Sequence, residues 1–174
     1  MMKKRSAKHI TMLAMLITVA LMLSYVETFI PAMPIPGAKI GLPNVVTLVA
    51  LYTFGFWEAL VITIIRTTIS AFLFSSVISL MYSVTGGILS LLAMYFLKRI
   101  TKEKASLQAV SITGAITHNL GQLIIAALVL ETLSLATFLP WLIVLAVPAG
   151  IVVGVLAKYL LKYFDSSFKI DEKK

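Results

Sequence analysis

Residues 31–44 read PAMPIPGAKIGLPN, a segment rich in proline and glycine that lies between two long apolar runs. Prolines remove backbone donors and fix φ, and Gly37 and Gly41 permit backbone conformations that other residues resist. The segment therefore cannot continue a helix, and it must either reverse the chain at a membrane surface or fold back as a lid. Lys39 is its only charged residue, which is unusual for a solvated loop.

The composition of the whole chain is that of an integral membrane protein. Of its 174 residues, 60% are hydrophobic and 13% are charged, whereas about half and about a quarter are usual in soluble domains. A helix needs about 20 apolar residues to cross about 30 Å of hydrocarbon, so the chain has room for five or six spans. No soluble catalytic domain fits beside them.

Hydropathy predicts an all-α bundle of six transmembrane helices in a single domain, 1–174. The predicted spans are 10–30, 44–56, 59–81, 84–100, 107–130 and 138–163, with a lid loop at 31–43. The first apolar run is too long for a cleaved signal peptide, so a retained helix is expected. The second span is short, and the alternative topology fuses it with the third to give five crossings.

The basic residues favour six spans over five. Four of them lie at 3–8, four at 98–104 and five from Lys158 onward, which makes 13 of the 15 in the chain. Cytoplasmic loops collect Lys and Arg, and six spans place all three groups on one side, with both termini cytoplasmic. Since the charge flanks membrane spans, the net charge of +8 does not indicate binding to nucleic acid.

Arg66 lies deep in the predicted third span, where a charge is costly unless it is paired or faces a wet cavity. Thr63, Thr67 and Ser70 share its face at helical spacing. Arg66 is therefore either a ligand for an anionic or polar substrate group, or a structural residue. In the second case it forms an ion pair or extends to the cytoplasmic interface.

The predicted fifth span carries His118, Asn119 and Gln122 near its middle. His118 and Gln122 share one face by i, i+4 spacing. Polar groups at this depth need partners, so the three residues either line a cavity and contact substrate or form hydrogen bonds between helices. One histidine with two amides is not a metal site, and no metal or other cofactor is expected.

Glu27 lies at the outer end of the first span, next to the lid loop. It is a natural partner for Lys39 or for a cationic group of a substrate. The structural alternative is an ion pair that pins the lid.

Small residues recur at helical spacing on two of the predicted spans. Ala14 and Thr18 form a weak stripe on the first, and Ala146, Gly150 and Gly154 form a stronger one on the last. Such stripes allow helices to approach closely in lipid. Two explanations are open for these stripes: packing between helices of this chain, or docking of a separate partner protein.

Two absences argue against an enzyme. No G-x-x-x-x-G-K-[ST] phosphate loop is present, so ATP hydrolysis by that route is excluded. Prenyl diphosphate chemistry needs paired aspartates to hold magnesium on the diphosphate. The chain's only aspartates are Asp165 and Asp171, in the tail.

Several motifs resemble those of a known family. They are Glu27 followed by Ile30-Pro31, then Pro34-Ile35-Pro36-Gly37-x-Lys39-x-Gly41-Leu42-x-Asn44 and Val45-Val46-Thr47-Leu48, and further along Phe56-x-Glu58-Ala59-Leu60, Arg66, Gly86-Gly87 and His118-Asn119-Leu120-Gly121-Gln122. In these motifs the chain resembles the Gx transporter family, also known as heptaprenyl diphosphate synthase component I. That family is similar to the substrate-binding S components of energy-coupling factor (ECF) transporters.

The resemblance implies a six-helix substrate-capture protein of the bacterial cell membrane, which docks on a transmembrane coupling subunit driven by ATPases. In S components the loop between the first two helices covers the binding site from outside, and small residues of the first helix contact the coupling subunit. The corresponding docking residues here are Ala14 and Thr18. The candidate substrate-binding residues are Glu27, Lys39, Asn44, Arg66, His118, Asn119 and Gln122.

Two functions follow as hypotheses. The first is a binding component for uptake of a small polar or anionic molecule, such as a vitamin or a quinone or isoprenoid precursor. The second is a non-catalytic membrane partner of a polyprenyl diphosphate synthase or of a quinone-linked redox system. A channel is disfavoured because no predicted span has polar residues repeated along its whole length.

Overall fold

The computed structural model describes residues 7–30, 41–102 and 104–169, with side chains through Phe164, and these residues form helices and no strands. The helices are α1 (Ala7–Glu27), α2 (Asn44–Thr53), α3 (Phe56–Phe74), α4 (Val77–Ile100), α5 (Leu107–Val129), a 3-10 helix (Leu133–Phe138) and α6 (Leu139–Lys169). Five helical stretches are long and apolar enough to cross a membrane: α1, α3, α4, α5 and Leu133–Phe164, which joins the 3-10 helix to α6. The prediction of an all-α, multi-pass membrane bundle is confirmed.

α2 has about half the length of a transmembrane helix. Its ten residues rise about 15 Å, against about 30 Å of hydrocarbon. Gly55, at φ +105°, separates α2 from α3, so the two helices are not fused as the five-crossing alternative requires. A sixth crossing depends on residues 31–40, which lie outside the described residues, and it stays a prediction.

The connection between α3 and α4 differs from the predicted one. The sequence predicts it at 81–83, but α3 ends at Phe74 and residues 81–83 lie inside α4. The break occurs at Ser75 and Ser76, where Oγ of Ser76 accepts a hydrogen bond from the Ser79 amide (3.2 Å) and caps α4. The predicted boundary at this point is wrong because the apolar run continues through the true turn.

α5 lies between α4 and α6, and glycines set how closely the three helices approach. A Cβ atom added at Gly121 of α5 would lie 2.9 Å from Cα of Gly86 on α4. One added at Gly150 of α6 would lie 2.6 Å from Cα of Ile112 on α5. Real Cβ atoms do not make such short contacts. For the stripe at 146–154, internal packing is therefore the explanation that the structure supports.

The basic residues of α1, α4 and α6 share one end of the bundle. The ring of His9 in α1 meets the ring of Phe54 after α2, with centroids 5.1 Å apart, and Gly154 of α6 packs on the backbone of Gln108 in α5. Helices α1, α3 and α5 therefore start where α2, α4 and α6 end. We call this the basic end. The side of the membrane that it faces stays a prediction.

Apolar side chains cover the outer surface between the two ends. Phe72 and Leu128, for example, are 72% and 68% exposed. Trp57 at the start of α3 and Trp141 at the start of α6 are also well exposed, and they lie at opposite ends of the bundle. Tryptophan is enriched at membrane interfaces, so these two residues are consistent with a bilayer around the described helices.

Candidate functional site

Arg66 lies about 15 Å along α3 from Phe56, near the middle of the bundle. Its side chain is buried, at 5% exposure. Nη2 of Arg66 donates a hydrogen bond to Oδ1 of Asn44, the first residue of α2, at 2.6 Å. Arg66 therefore does not extend to the interface, which removes one of the explanations that the sequence left open.

The guanidinium group of Arg66 has more donors than partners. It carries several N–H donors, yet among the described residues its one hydrogen bond is to Asn44, and Nε has no partner. No carboxylate oxygen in the described ranges lies at ion-pair distance from it, although Glu27 is close enough to act on it electrostatically. The described residues therefore do not contain the structural ion pair that was the other explanation.

Glu27, the last residue of α1, holds the turn that leads into α2. Its carboxylate accepts hydrogen bonds from the backbone amides of Gly41 and Leu42, the second at 3.2 Å. Gly41 has φ +89°, which glycine adopts at little cost, and a Cβ atom there would lie 2.7 Å from Nδ2 of Asn44. The predicted partner Lys39 lies outside the described residues, so that pair stays a prediction.

His118 and Gln122 face the same region from α5, as their spacing predicts. Both are buried. A Cβ atom added at Gly86 of α4 would lie 3.0 Å from Nδ1 of His118 and 3.1 Å from Cγ of Gln122. One added at Gly41 would lie 3.4 Å from Cδ2 of His118. Within the described ranges, no group of three or more His, Asp or Glu side chains could hold a metal ion.

Gly87, the next residue of α4, lies against the Arg66 side of the site. A Cβ atom added there would lie 2.8 Å from Cγ2 of Thr63 and 3.7 Å from Nη2 of Arg66. The adjacent glycines of α4 therefore bring that helix against both Arg66 and His118. We call the group of buried polar side chains that meet here the polar layer: Glu27, Asn44, Arg66, His118 and Gln122.

The hydroxyl groups of Thr63 and Thr67, beside Arg66, already donate hydrogen bonds within their own helix. Oγ1 of Thr63 donates to the Ala59 carbonyl (2.8 Å) and lies 3.1 Å from Oγ1 of Thr47 on α2. Oγ1 of Thr67 donates to the Thr63 carbonyl (2.8 Å). Because these hydroxyls have backbone acceptors, they line the interior without supplying Arg66 with a partner.

Asn119 points away from the polar layer. Its Nδ2 donates a hydrogen bond to the Leu142 carbonyl of α6 at 3.1 Å. Successive residues of a helix are rotated by about 100°, so Asn119 cannot share the face of His118. It makes the interhelical hydrogen bond that the sequence left as the alternative to substrate contact.

A small cavity lies beside Gly41 and Asn44, between α2, α4, α5 and α6. Its volume of about 10 Å³ is room for about one water molecule. Ser90 and Ser111 line it, and their buried Oγ atoms have no hydrogen-bond partner among the described residues. The sequence analysis does not identify Ser111 as a candidate site residue. It lies seven residues before His118 and therefore on the same helical face, and this spacing is the signal in the sequence that indicates it.

Comparison with known families gives a match that covers most of the chain. The sequence model of the family described as heptaprenyl diphosphate synthase component I matches residues 16–160. The chain belongs to this family. It is the family that the motifs around Gly41 and Arg66 resemble. No curated protein and no solved structure matches the chain.

The match to the heptaprenyl diphosphate synthase component I family begins in α1 and ends in α6. It includes the whole polar layer, whereas Asp165 and Asp171 lie beyond it.

The predicted docking residues lie at the edge of the family match, with Thr18 inside it and Ala14 just before it. Both residues are exposed on α1. Oγ1 of Thr18 donates to the Ala14 carbonyl at 3.0 Å, so its polar group is satisfied without a neighbour. This face of α1 is not used for packing within the described helices.

Proposed function

We propose that this protein is the substrate-binding component of a membrane uptake system, and that its substrate is a small molecule with an anionic or polar group. The observation that carries the proposal is the guanidinium group of Arg66, which is buried at mid-depth and has one hydrogen-bond acceptor among the described residues, the neutral side chain of Asn44. Vitamins and quinone or isoprenoid precursors are the candidate substrates.

The energetics of a buried guanidinium group support an anionic ligand. A charge in the interior of a membrane protein is costly unless it is paired. Asn44 supplies an amide oxygen, and the carboxylate of Glu27 is engaged by two backbone amides. A carboxylate or phosphate group beside Arg66 would accept hydrogen bonds from its remaining N–H groups and add to the electrostatic effect of Glu27. Guanidinium groups bind both anions through paired hydrogen bonds.

The position of α2 is consistent with entry from the end opposite the basic end. α2 starts at the polar layer and runs toward the basic end, and no described helix continues it in the other direction. In the proposed arrangement, residues 31–43 cover the polar layer from outside, as in the S components of ECF transporters. The exposed Ala14 and Thr18 face then docks on a coupling subunit that is driven by ATPases.

We further propose that the protein has no catalytic activity of its own, although the family name refers to a synthase. Magnesium-dependent prenyl transfer needs clustered carboxylates near the diphosphate. The only aspartates lie outside the family match, in the tail of a chain that we place in the bacterial cell membrane.

A thermal-stability screen of the purified protein against vitamins and isoprenoid precursors tests the uptake proposal. We expect an anionic compound to raise Tm in the wild type and in Lys104→Gln, which removes one exposed charge. The compound should not raise Tm in Arg66→Gln, because the loss of a charge-assisted hydrogen bond weakens binding by roughly 10- to 100-fold. Absence of any stabilising compound, together with intact uptake in Arg66→Gln, would overturn the proposal.

The family description supports a second candidate, a membrane partner of a polyprenyl diphosphate synthase. The basic residues between Lys98 and Lys104 are the proposed contact. Co-purification of a soluble polyprenyl synthase with the wild type, and its loss when these charges are removed, would favour this function. Co-purification that survives the removal of all four charges would contradict it.

A further inference from the structure

A second cavity, separate from the polar layer, opens at the basic end. It has a volume of about 190 Å³ and lies between the turn that joins α2 to α3 and the last turns of α4. Its lining residues are Leu51, Gly55, Phe56, Tyr95, Lys98 and Arg99. The cavity thus combines an apolar and aromatic floor with two cationic side chains. The uptake proposal gives it no role, and synthase docking uses its two cations as part of a surface contact and not as a binding cavity.

Aromatic contacts hold the walls and the cations in place. The rings of Phe56 and Tyr95 pack with centroids 4.9 Å apart. Nη1 of Arg99 donates a hydrogen bond to the Tyr95 hydroxyl (3.0 Å), and Nζ of Lys98 lies 4.3 Å from the centroid of the Tyr52 ring. These contacts orient two positive charges at one cavity, whereas lysines on a solvated loop have no such restraint.

The residues around the cavity indicate the depth of the lipid headgroups. Trp57, next to the lining residue Phe56, is 70% exposed, and Ile100, next to Arg99, is 76% exposed. Exposed tryptophan beside exposed aliphatic residues is typical of the boundary between hydrocarbon and headgroups. A molecule that reaches this cavity from the membrane therefore has an apolar chain in the hydrocarbon and a polar head at the level of the two cations.

Size and charge select the class of ligand. Sites that enclose a whole drug-sized molecule measure about 300–1,000 Å³, so this cavity takes a headgroup and leaves the chain in the bilayer. Gly55 adds room, since apart from its chain neighbours no residue has an atom within 4 Å of the position that its Cβ would occupy. The carboxylate of Glu58, in the first turn of α3, lies 3.9 Å from Nε2 of His9 on α1 and does not line the cavity.

We propose that this cavity binds the phosphate headgroup of an anionic membrane amphiphile. Arg99 and Lys98 contact the phosphate oxygens, and Phe56 and Leu51 contact the first carbons of the chain. Two sources supply this chemistry: a glycerophospholipid such as phosphatidylglycerol, and an isoprenoid diphosphate. Basic residues at a helix C-terminus are also favourable to the helix dipole, but that effect does not require a cavity.

Native mass spectrometry of the full chain in detergent tests the proposal. The probes are phosphatidylglycerol, with equimolar phosphatidylcholine as reference, and farnesyl diphosphate in a separate series. The double variant Lys98→Gln/Arg99→Gln removes the two lining charges. The control Lys158→Gln/Lys162→Gln removes two exposed charges at the same end.

At least one of the two probes should bind the wild type and the control with similar affinity and bind Lys98→Gln/Arg99→Gln about 30-fold more weakly. That factor corresponds to about 1 kcal/mol for each basic residue near a lipid phosphate. The probe that shows the loss identifies the source. Equal losses in both double variants would overturn the proposal, since the attraction would then be diffuse, and so would retention of both probes by Lys98→Gln/Arg99→Gln.

Discussion

Nη2 of Arg66 and Oδ1 of Asn44 lie 2.6 Å apart, and this hydrogen bond joins the middle of α3 to the first residue of α2. It fixes the level in the bundle at which the half-length helix begins. Because Glu27 binds the two amides just before that helix, α1, α2 and α3 meet at one point beside the only charged side chains of the polar layer.

Loss of the Asn44 side chain should destabilise the fold more than loss of a neutral interhelical bond. Asn44→Ala leaves the buried guanidinium group of Arg66 without its described partner, and hydrogen bonds to charged groups contribute about 1.5–3 kcal/mol. Asn119→Ala, the control, removes a neutral bond to the Leu142 carbonyl, worth about 1 kcal/mol. Chemical denaturation in detergent measures both, and equal losses would contradict a special role for the Arg66 contact.

Replacement of both partners by apolar residues separates binding from folding. In Arg66→Met/Asn44→Leu the buried guanidinium group and its acceptor are both gone, while the buried carboxylate of Glu27 keeps its two amide donors. We therefore expect a free energy of unfolding equal to that of the wild type or higher by about 1–4 kcal/mol. Substrate binding should be lost, because the proposed contact with the anion is gone. Denaturation and ligand-induced shifts of Tm measure the two effects. A variant that is stable and still binds the same ligand would contradict the role of Arg66.

Glu27 should protect the backbone amides of the turn before α2 from hydrogen exchange. Glu27→Ala removes the acceptor of the Gly41 and Leu42 amides, and charge-assisted bonds of this kind are worth about 1.5–3 kcal/mol. Hydrogen exchange at these two amides should therefore accelerate by roughly 10- to 100-fold. The control Glu131→Ala alters an exposed carboxylate. Unchanged exchange at Gly41 in Glu27→Ala would show that other contacts hold the turn.

The contact between α4 and α5 should tolerate no added carbon at Gly121. A methyl group there would lie 2.9 Å from Cα of Gly86, and overpacking of this kind costs about 1–3 kcal/mol. Ala109→Val enlarges an exposed position of the same helix and should change stability by less than about 0.5 kcal/mol. If Gly121→Ala is as harmless as Ala109→Val in denaturation, the helices pack less closely than described.

The predictable part of the fold is the part that hydropathy controls. Composition and long apolar runs are enough for an all-α membrane bundle, and the described helices confirm it. The turn at Ser75 and Ser76 is not predictable in this way, because apolar residues continue on both sides and serine also occurs within membrane helices. The local signal for this turn is Ser76, whose hydroxyl group caps the start of α4.

The sequence predicts which residues form the candidate site better than it predicts their hydrogen-bond partners. His118 and Gln122 follow from i, i+4 spacing, and the same geometry places Asn119 on another face. Glu27 suggests a cation as partner, yet its described partners are backbone amides. Because every residue except proline carries a backbone amide, no residue type in the sequence marks such a contact. The pairing of Asn44 with Arg66 likewise depends on where α2 begins.

Mass spectrometry of small molecules retained by the purified protein tests the central claim most directly. We predict that the wild type and Lys104→Gln carry a molecule with a carboxylate or phosphate group, and that Arg66→Gln, although folded, does not. Retention of the same molecule at the same level by Arg66→Gln would contradict the account, and so would a folded wild type that retains no anion and is stabilised by none.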